Sequence, residues 1–347
     1  MRAARYHGVR DVRLEQIPEP EPGPGQIKIA VAYNGLCGSD LHEYFNAPTF
    51  IPMEPHPLTG AHAPCVLGHE FSGTVVAVGD GAGVFGPGDR VAVRPTYSCG
   101  ECPACRIGAP NICKQLAFHG GSAAGGGLSE FTVVDETMAH KLPDSVSLLS
   151  GALVEPLAVA QHAVNRAAPG ADDTVVVIGS GAIGIGVWLA LRARGIEKVI
   201  VSEPSGQRRQ AISRLGAERV VDPTSQDLQT IVDEVSGGVG AAVVFDAAGV
   251  PQAFADGLSV LAPHGILMVV SVYERGLDFN PTALLTGEHT ITTSLTYSDT
   301  EFAEVIANME RGVYGADGWT DVIGLDQLTD AFELLRAGEA VKILVEI

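Results

Sequence analysis

Four cysteines fall within fifteen residues, Cys99, Cys102, Cys105 and Cys113, in the spacing C-x2-C-x2-C-x7-C. One short loop at that spacing can fold around a single ion and set four thiolates at tetrahedral corners. Four soft sulfur ligands with no open position are the donor set of a structural zinc ion, which stabilises a fold without doing chemistry. Disulfides among cysteines this close would have to close very small, strained rings. A second, mixed set lies upstream. Cys37 sits in Cys-Gly-Ser-Asp-Leu-His, and about thirty residues on comes Gly68-His69-Glu70. A closed sulfur lobe and a Cys/His/Glu set in one chain suggest a metalloenzyme with two zinc sites, one structural and one catalytic. A catalytic zinc needs three protein ligands and an open position. Cys37 and His69 are two such donors, and Glu70 and Glu155 are both available as the third. Glu155 precedes Pro156, a pair that also suits a helix N-terminus.

A third constellation is Gly179-Ser-Gly181-Ala182-Ile183-Gly184. It directly follows the β-branched run Thr174–Ile178 and opens a helical pattern, the context in which G-x-G-x-x-G binds a dinucleotide. The glycines permit a tight turn, close approach to a pyrophosphate and close helix-to-strand packing, with the helix N-terminus facing the phosphate charge. Glu203 ends the next strand, where a carboxylate can accept from ribose hydroxyls and repel a 2′-phosphate. NAD is therefore expected over NADP. Arg208 and Arg209 follow closely and could help bind a phosphate, or simply form a solvated helix face.

These residues need a scaffold, and 347 residues suffice for two domains with separate cores. The 41 acidic against 22 basic residues give a net charge of −19, which opposes a phosphate-binding surface and excludes nucleic acid as an expected partner. The N-terminal segment has no apolar h-region, so the clustered cysteines read as metal ligands in a reducing compartment and the cytoplasm is the expected location. Val175–Leu191 is apolar, but it is shorter than the roughly 20 residues of a membrane span. It also carries four glycines and changes character halfway, so no membrane association is expected.

The first 150 residues read as β-rich. Gln26–Ala32 alternates polar and apolar residues, Phe71–Gly79 and Asp89–Val93 are further strands, and Ile51–Pro64 is a proline-rich surface loop. From Leu153 strand alternates with helix: strands at Thr174–Ile178, Lys198–Ser202, Arg219–Val221, Ala242–Asp246 and Gly265–Ser271 predict a doubly wound parallel sheet. A helix at Leu325–Ala337 and a strand at Val341–Glu346 close the chain and return to the first domain. The expected division is an α/β protein with a β-rich catalytic domain over 1–152, its zinc lobe at about 95–115, a Rossmann domain over 153–293 and a C-terminal return over 294–347.

Taken in order, Gly-Leu-Cys37-Gly-Ser39-Asp-Leu-His42, Gly68-His69-Glu70 with Gly73, the four-cysteine lobe, Val154-Glu155-Pro156 and the G-x-G-x-x-G resemble the zinc-dependent medium-chain alcohol dehydrogenases over essentially the whole chain. The segments Phe50–Gly60, Leu67–Gly73 and Leu153–Ala160 resemble the 2,3-butanediol dehydrogenase branch. The resemblance implies a GroES-like catalytic domain, and Glu155 as third zinc ligand or either glutamate as water and substrate exchange. It also implies a relay in which the cofactor ribose links Ser39 to His42. A serine hydroxyl can both accept and donate a proton, and a histidine titrating near neutrality can end such a chain. Asp40 reads as organising this turn or the metal's surroundings, and Cys65 as a buried structural thiol.

The expected reaction is zinc- and NAD-dependent oxidation of a small vicinal diol to a hydroxyketone, butane-2,3-diol and acetoin, with its reverse. Polyol (sorbitol-like) and threonine dehydrogenases share this chemistry. A zinc-free quinone reductase would lack Cys37, His69 and the cysteine lobe. A catalytically silent NAD- and metal-binding sensor is the alternative of another class, and it would have no need of Ser39 and His42. The resemblance implies a homodimer or homotetramer, with an edge strand near Thr290–Leu295 free to pair.

Overall fold

A computed structural model describes every residue except Ala47. The chain forms two compact units, Met1–Glu155 with Ser298–Ile347, and Pro156–Tyr297.

The first unit is built on a mixed sheet centred on the strand Gln26–Gly35. Its alternation sends Ile27 and Ile29 into one core with Phe71, Val75 and Val91. Lys28 is buried among them in sequence, and its ammonium is met by Glu19 at 2.5 Å and Glu21 at 3.1 Å. The strand Glu70–Val78 runs antiparallel on one side, with Glu70 opposite Gly35. On the other side runs the closing strand Lys342–Glu346, with Leu344 opposite Gly35. The helix before it starts later than the sequence pattern suggests. Leu325–Gln327 is a 3₁₀ turn and the α-helix is Leu328–Ala337, stopped by Gly338 at φ +72°. The segment Ile51–Pro64 is a run of turns and bends, yet Ile51 is buried in the core that holds Tyr44 and Phe332.

The second unit is an all-parallel six-stranded sheet. In spatial order its strands are Val220–Val221, Val199–Ser202, Val175–Ile178, Ala241–Asp246, Leu261–Val269 and Thr290–Thr293. Helices Ala182–Ala193, Gly206–Arg214, Leu228–Ser236 and Pro251–Ser259 alternate with the strands. Covering both faces explains why Val175–Ile178 is continuous apolar sequence and buried at every position. The fifth strand begins at Leu261, not Gly265. A register shift between Ala241 and Val243 absorbs Pro263 and Gly265, which read as a break in the sequence. The apolar stretch Val175–Leu191 divides at Gly179 into a strand and a helix, and among the described residues no helix is long and apolar enough to cross a membrane.

Gly35 is one of the tight points of the first sheet. Glu70 and Lys342 meet across it, and a Cβ there would strike Glu70 Oε2 and sit 3.1–3.2 Å from the end of the Lys342 side chain. Gly35→Ala is expected to lower stability by about 1–3 kcal/mol, the usual range for overpacking. Chemical denaturation of the two proteins measures it, and an unchanged midpoint would show that the strands yield without cost.

Candidate metal centres and nucleotide site

The four-cysteine loop is shaped by a one-turn helix, Pro103–Arg106, and a 3₁₀ turn, Pro110–Ile112. Its sulfurs converge. Cys102 Sγ lies 3.6 Å from Cys105 Sγ and 3.9 Å from Cys113 Sγ, and Cys113 Sγ lies 3.5 Å from Cys99 Sγ. A tetrahedron with zinc–sulfur bonds of about 2.3 Å has edges of about 3.8 Å, whereas a disulfide would need about 2.05 Å. The spacing therefore fits an ion and excludes bonded sulfurs. Backbone amides of Lys114 and Cys105 aimed at Cys102 lower its thiol to about 6, which favours the thiolate that zinc binds.

The second centre is assembled where the central strand of the first unit ends. Cys37 is the N-cap of the helix Gly38–Phe45, which carries Ser39, Asp40 and His42 on its first two turns. Asp40 is fully buried and faces both donors: its Oδ2 accepts from the Cys37 amide at 2.9 Å, and its Oδ1 lies 3.6 Å from His69 Nδ1. A carboxylate behind a ligating imidazole fixes the ring and raises its basicity. His69 Nε2 is left facing Ser39 Oγ at 3.3 Å. Burial lowers the His69 pKa, but Asp40, Cys37 and Glu155 together carry it well above the usual imidazole value. A ring surrounded by that much negative charge lies where a cation is welcome.

One ligand atom from each of Cys37, His69 and Glu70 lies within 4.8 Å of the others. Glu70 Oε2 is taken by the Lys342 ammonium, while its Oε1 is buried with no hydrogen-bond partner among the described residues. An orphaned, buried carboxylate oxygen beside a thiol and an imidazole fits a zinc ligand set. Glu155 stands outside this close group, buried on the first turn of the helix Val154–Ala167, and its charge reaches His69. The wall beside the donors is aromatic. The Phe50 ring is 6.1 Å from His69 and 5.9 Å from Phe118, both edge-on, and Phe118 is 6.3 Å from His69.

In the second unit, Gly179 has φ +92° and Gly181 caps the helix Ala182–Ala193, which opens with Ala182, Ile183 and Gly184. A Cβ on Gly184 would collide with the Gly179 carbonyl, so that glycine serves packing. A Cβ on Gly181 would meet no protein atom within 4 Å, so the space there is available to a ligand. Glu203 is buried beside the loop. Its Oε2 accepts from the Ser180 amide at 2.7 Å and its Oε1 from the Ser205 amide at 2.8 Å. Arg209 is committed to Asp222 at 2.8 Å and to the Glu203 and Pro204 carbonyls. Arg208 lies in the first turn of the helix Gly206–Arg214, its amide donating to the cap Ser205 Oγ at 3.4 Å.

Residues 23–144 match the family model described as the alcohol dehydrogenase GroES-like domain, and residues 182–311 match the zinc-binding dehydrogenase model. The chain is 40% identical to (R,R)-butanediol dehydrogenase of Bacillus subtilis, over 99% of both chains. It belongs to the zinc-dependent medium-chain alcohol dehydrogenases. The crystal structure of 2R,3R-butanediol dehydrogenase from Bacillus subtilis superposes on this dehydrogenase with a TM-score of 0.93, covering 100% of this chain and 99% of that one. An alcohol dehydrogenase of Escherichia coli solved with NADH is 26% identical (TM-score 0.88), and a zinc-binding dehydrogenase of Sinorhizobium meliloti solved with NADP is 28% identical (TM-score 0.88). Each comparison covers 100% of this chain and 99% of the other.

Sequence reasoning missed Lys342, Glu43, Phe50 and Phe118. For Lys342 a signal existed, a single charge inside the apolar run Val341–Val345, but nothing in the sequence names its partner. Two outcomes follow for the dehydrogenase. Cys102→Ser is expected to reduce bound zinc from two ions per chain to one and to lower the melting temperature; two ions retained, by metal analysis, would remove the lobe as a site. Lys342→Met leaves Glu70 buried without a cation, a loss of about 3–5 kcal/mol in unfolding free energy; a change under about 1 kcal/mol would mean the pair is incidental.

Proposed function

We propose that this dehydrogenase oxidises butane-2,3-diol to acetoin with NAD, and reduces acetoin in the other direction. The observation that carries the substrate is the full-length similarity to an enzyme of that activity. The aromatic wall supports it. Phe50 and Phe118 beside His69 suit a methyl group and offer nothing to the hydroxyls of sorbitol, whose desolvation would go uncompensated.

Cys37, His69 and Glu70 would hold the catalytic zinc, with Glu155, whose charge reaches His69, as the exchange ligand. When bound, zinc there supplies the Lewis acidity that lowers an alcohol's pKa, and NAD supplies the hydride acceptor. Ser39 Oγ, 3.3 Å from His69 Nε2, stands where it can take the hydroxyl proton. His42 lies three residues on, on the same helix face, and would pass that proton outward. Asp40 holds the two ligands in place and does not react. Cys99, Cys102, Cys105 and Cys113 would hold the structural zinc, a set of reduced cysteines that suits a cytoplasmic protein.

For the nucleotide, Gly179 to Gly184 would receive the pyrophosphate. Glu203 accepts from the Ser180 amide and hydroxyl and from the Ser205 amide, so its Oε1 keeps acceptor capacity for a ribose hydroxyl, and its charge would disfavour a 2′-phosphate. Arg208 would lie along the adenosine end. The edge strand Thr290–Thr293, with exposed Val272, Leu285 and Leu295 in the same unit, would pair with a second copy.

NADH absorbance with each butane-2,3-diol stereoisomer, sorbitol and threonine tests the substrate. Chelator-sensitive turnover of a butanediol isomer carrying an R carbon is expected. Turnover of sorbitol or threonine alone would overturn the substrate, and silence across the panel with zinc and NAD bound would favour the sensor. Glu203→Ser is expected to narrow the NAD-over-NADP preference at least tenfold; an unchanged ratio of kcat/KM would free Glu203 of that role.

A further inference from the structure

Glu43 is fully buried on the helix that carries Ser39 and His42, next in sequence to His42. Its Oε1 accepts from the Thr49 amide at 2.8 Å, the Phe50 amide at 2.9 Å and the Thr49 hydroxyl. Three donors on one carboxylate oxygen make a strong, charge-assisted clamp. Its Oε2 is buried with no hydrogen-bond partner among the described residues, as is the Tyr6 hydroxyl, which burial and then the Glu43 charge push up to about 12. Placing a carboxylate in this core is costly, and a neutral acceptor would satisfy the same loop amides with a smaller desolvation cost. The clamp's result is the position of Phe50. That ring stands edge-on to His69 and Phe118 and fills the space above Gly121, where a Cβ would strike it.

We propose that Glu43 is a positioning residue for substrate specificity: its carboxylate clamps Thr49 and Phe50, so that Phe50 forms the apolar wall beside the metal ligand His69. The proposal rests on the diol reading for the identity of the substrate, though not for the clamp. One helix thus presents the proton-relay residues and, through Glu43, sets the wall that receives the substrate's carbon skeleton. Losing the clamp frees the wall without touching the donors, so it acts on substrate binding and leaves the metal in place.

The test uses the zinc-loaded protein. Amide hydrogen exchange at Thr49 and Phe50, without substrate, is expected to quicken at least tenfold in Glu43→Ala and to stay near wild type in Glu43→Gln, which keeps an acceptor. Glu43→Ala is expected to raise the KM for butane-2,3-diol about tenfold while kcat moves less than about threefold, with zinc content and NADH affinity unchanged. Phe50→Ala should raise KM to the same extent, and the double variant should add nothing further. Should Glu43→Ala fail to fold, Thr49→Val removes only the hydroxyl donor and is expected to shift exchange and KM in the same direction by less. Unchanged exchange in both variants, or KM effects of Glu43 and Phe50 substitutions that multiply, would overturn the proposal. A wild-type protein inactive on butanediol would overturn the substrate instead, and the exchange measurement would still decide the clamp.

Discussion

A buried ion pair, Lys342 with Glu70, ties the catalytic half of this dehydrogenase together. Its members are 272 residues apart in the chain and both essentially without solvent exposure. It forms because the closing strand runs antiparallel to Gln26–Gly35 while Glu70 opens the strand on the other side. The two side chains cross a position that carries no side chain, Gly35. The Lys342 ammonium also donates to the Leu36 carbonyl at 2.8 Å, just before Cys37, the proposed ligand. The C-terminal strand therefore braces both the thiol and the carboxylate of the open metal centre. The Lys342 ammonium takes one oxygen of Glu70, and the other, Oε1, is buried with no hydrogen-bond partner among the described residues, where a metal would find it available.

The two metal centres divide the work by their donors and their openness. Four sulfurs at tetrahedral spacing leave no place for a substrate, so the lobe contributes stability. A thiol, an imidazole and one free carboxylate oxygen, backed by Asp40, leave a position open beside Ser39. The helix Gly38–Phe45 concentrates what surrounds that position: Cys37, the proposed ligand, at its cap, Ser39 and His42, the proposed relay, along it, and Glu43 behind. In the nucleotide unit the same economy holds, because Glu203 braces the glycine loop through Ser180 and is the residue proposed to face the ribose.

Local patterns made much of this legible in the sequence. The cysteine lobe and the glycine loop are each contained in fewer than twenty residues, and the apolar runs of the parallel sheet are covered on both faces, so spacing and periodicity are enough to read them. Nonlocal pairings were not legible. Lys342 shows as a charge in an apolar strand, but its partner depends on the register of three strands. The sequence favoured Glu155 over Glu70 as third ligand, but which of them lies beside Cys37 and His69 is a tertiary fact, and in the fold it is Glu70. Phe50 lies in a proline-rich stretch that reads as surface loop, and only the Glu43 clamp turns it toward His69. The Leu261 start of the fifth strand was hidden by Pro263 and Gly265, which a register shift accommodates.

In the proposed division of labour, the open centre does the chemistry and the closed one holds the fold. Stepwise removal of zinc by a chelator, with bound metal, butane-2,3-diol turnover and melting temperature followed on one sample, tests it most directly. Turnover is expected to fall with the first ion released and to return when zinc is restored, while the melting temperature drops mainly with the second. Full turnover after loss of the first ion, with zinc remaining only in the four-cysteine lobe, would contradict it.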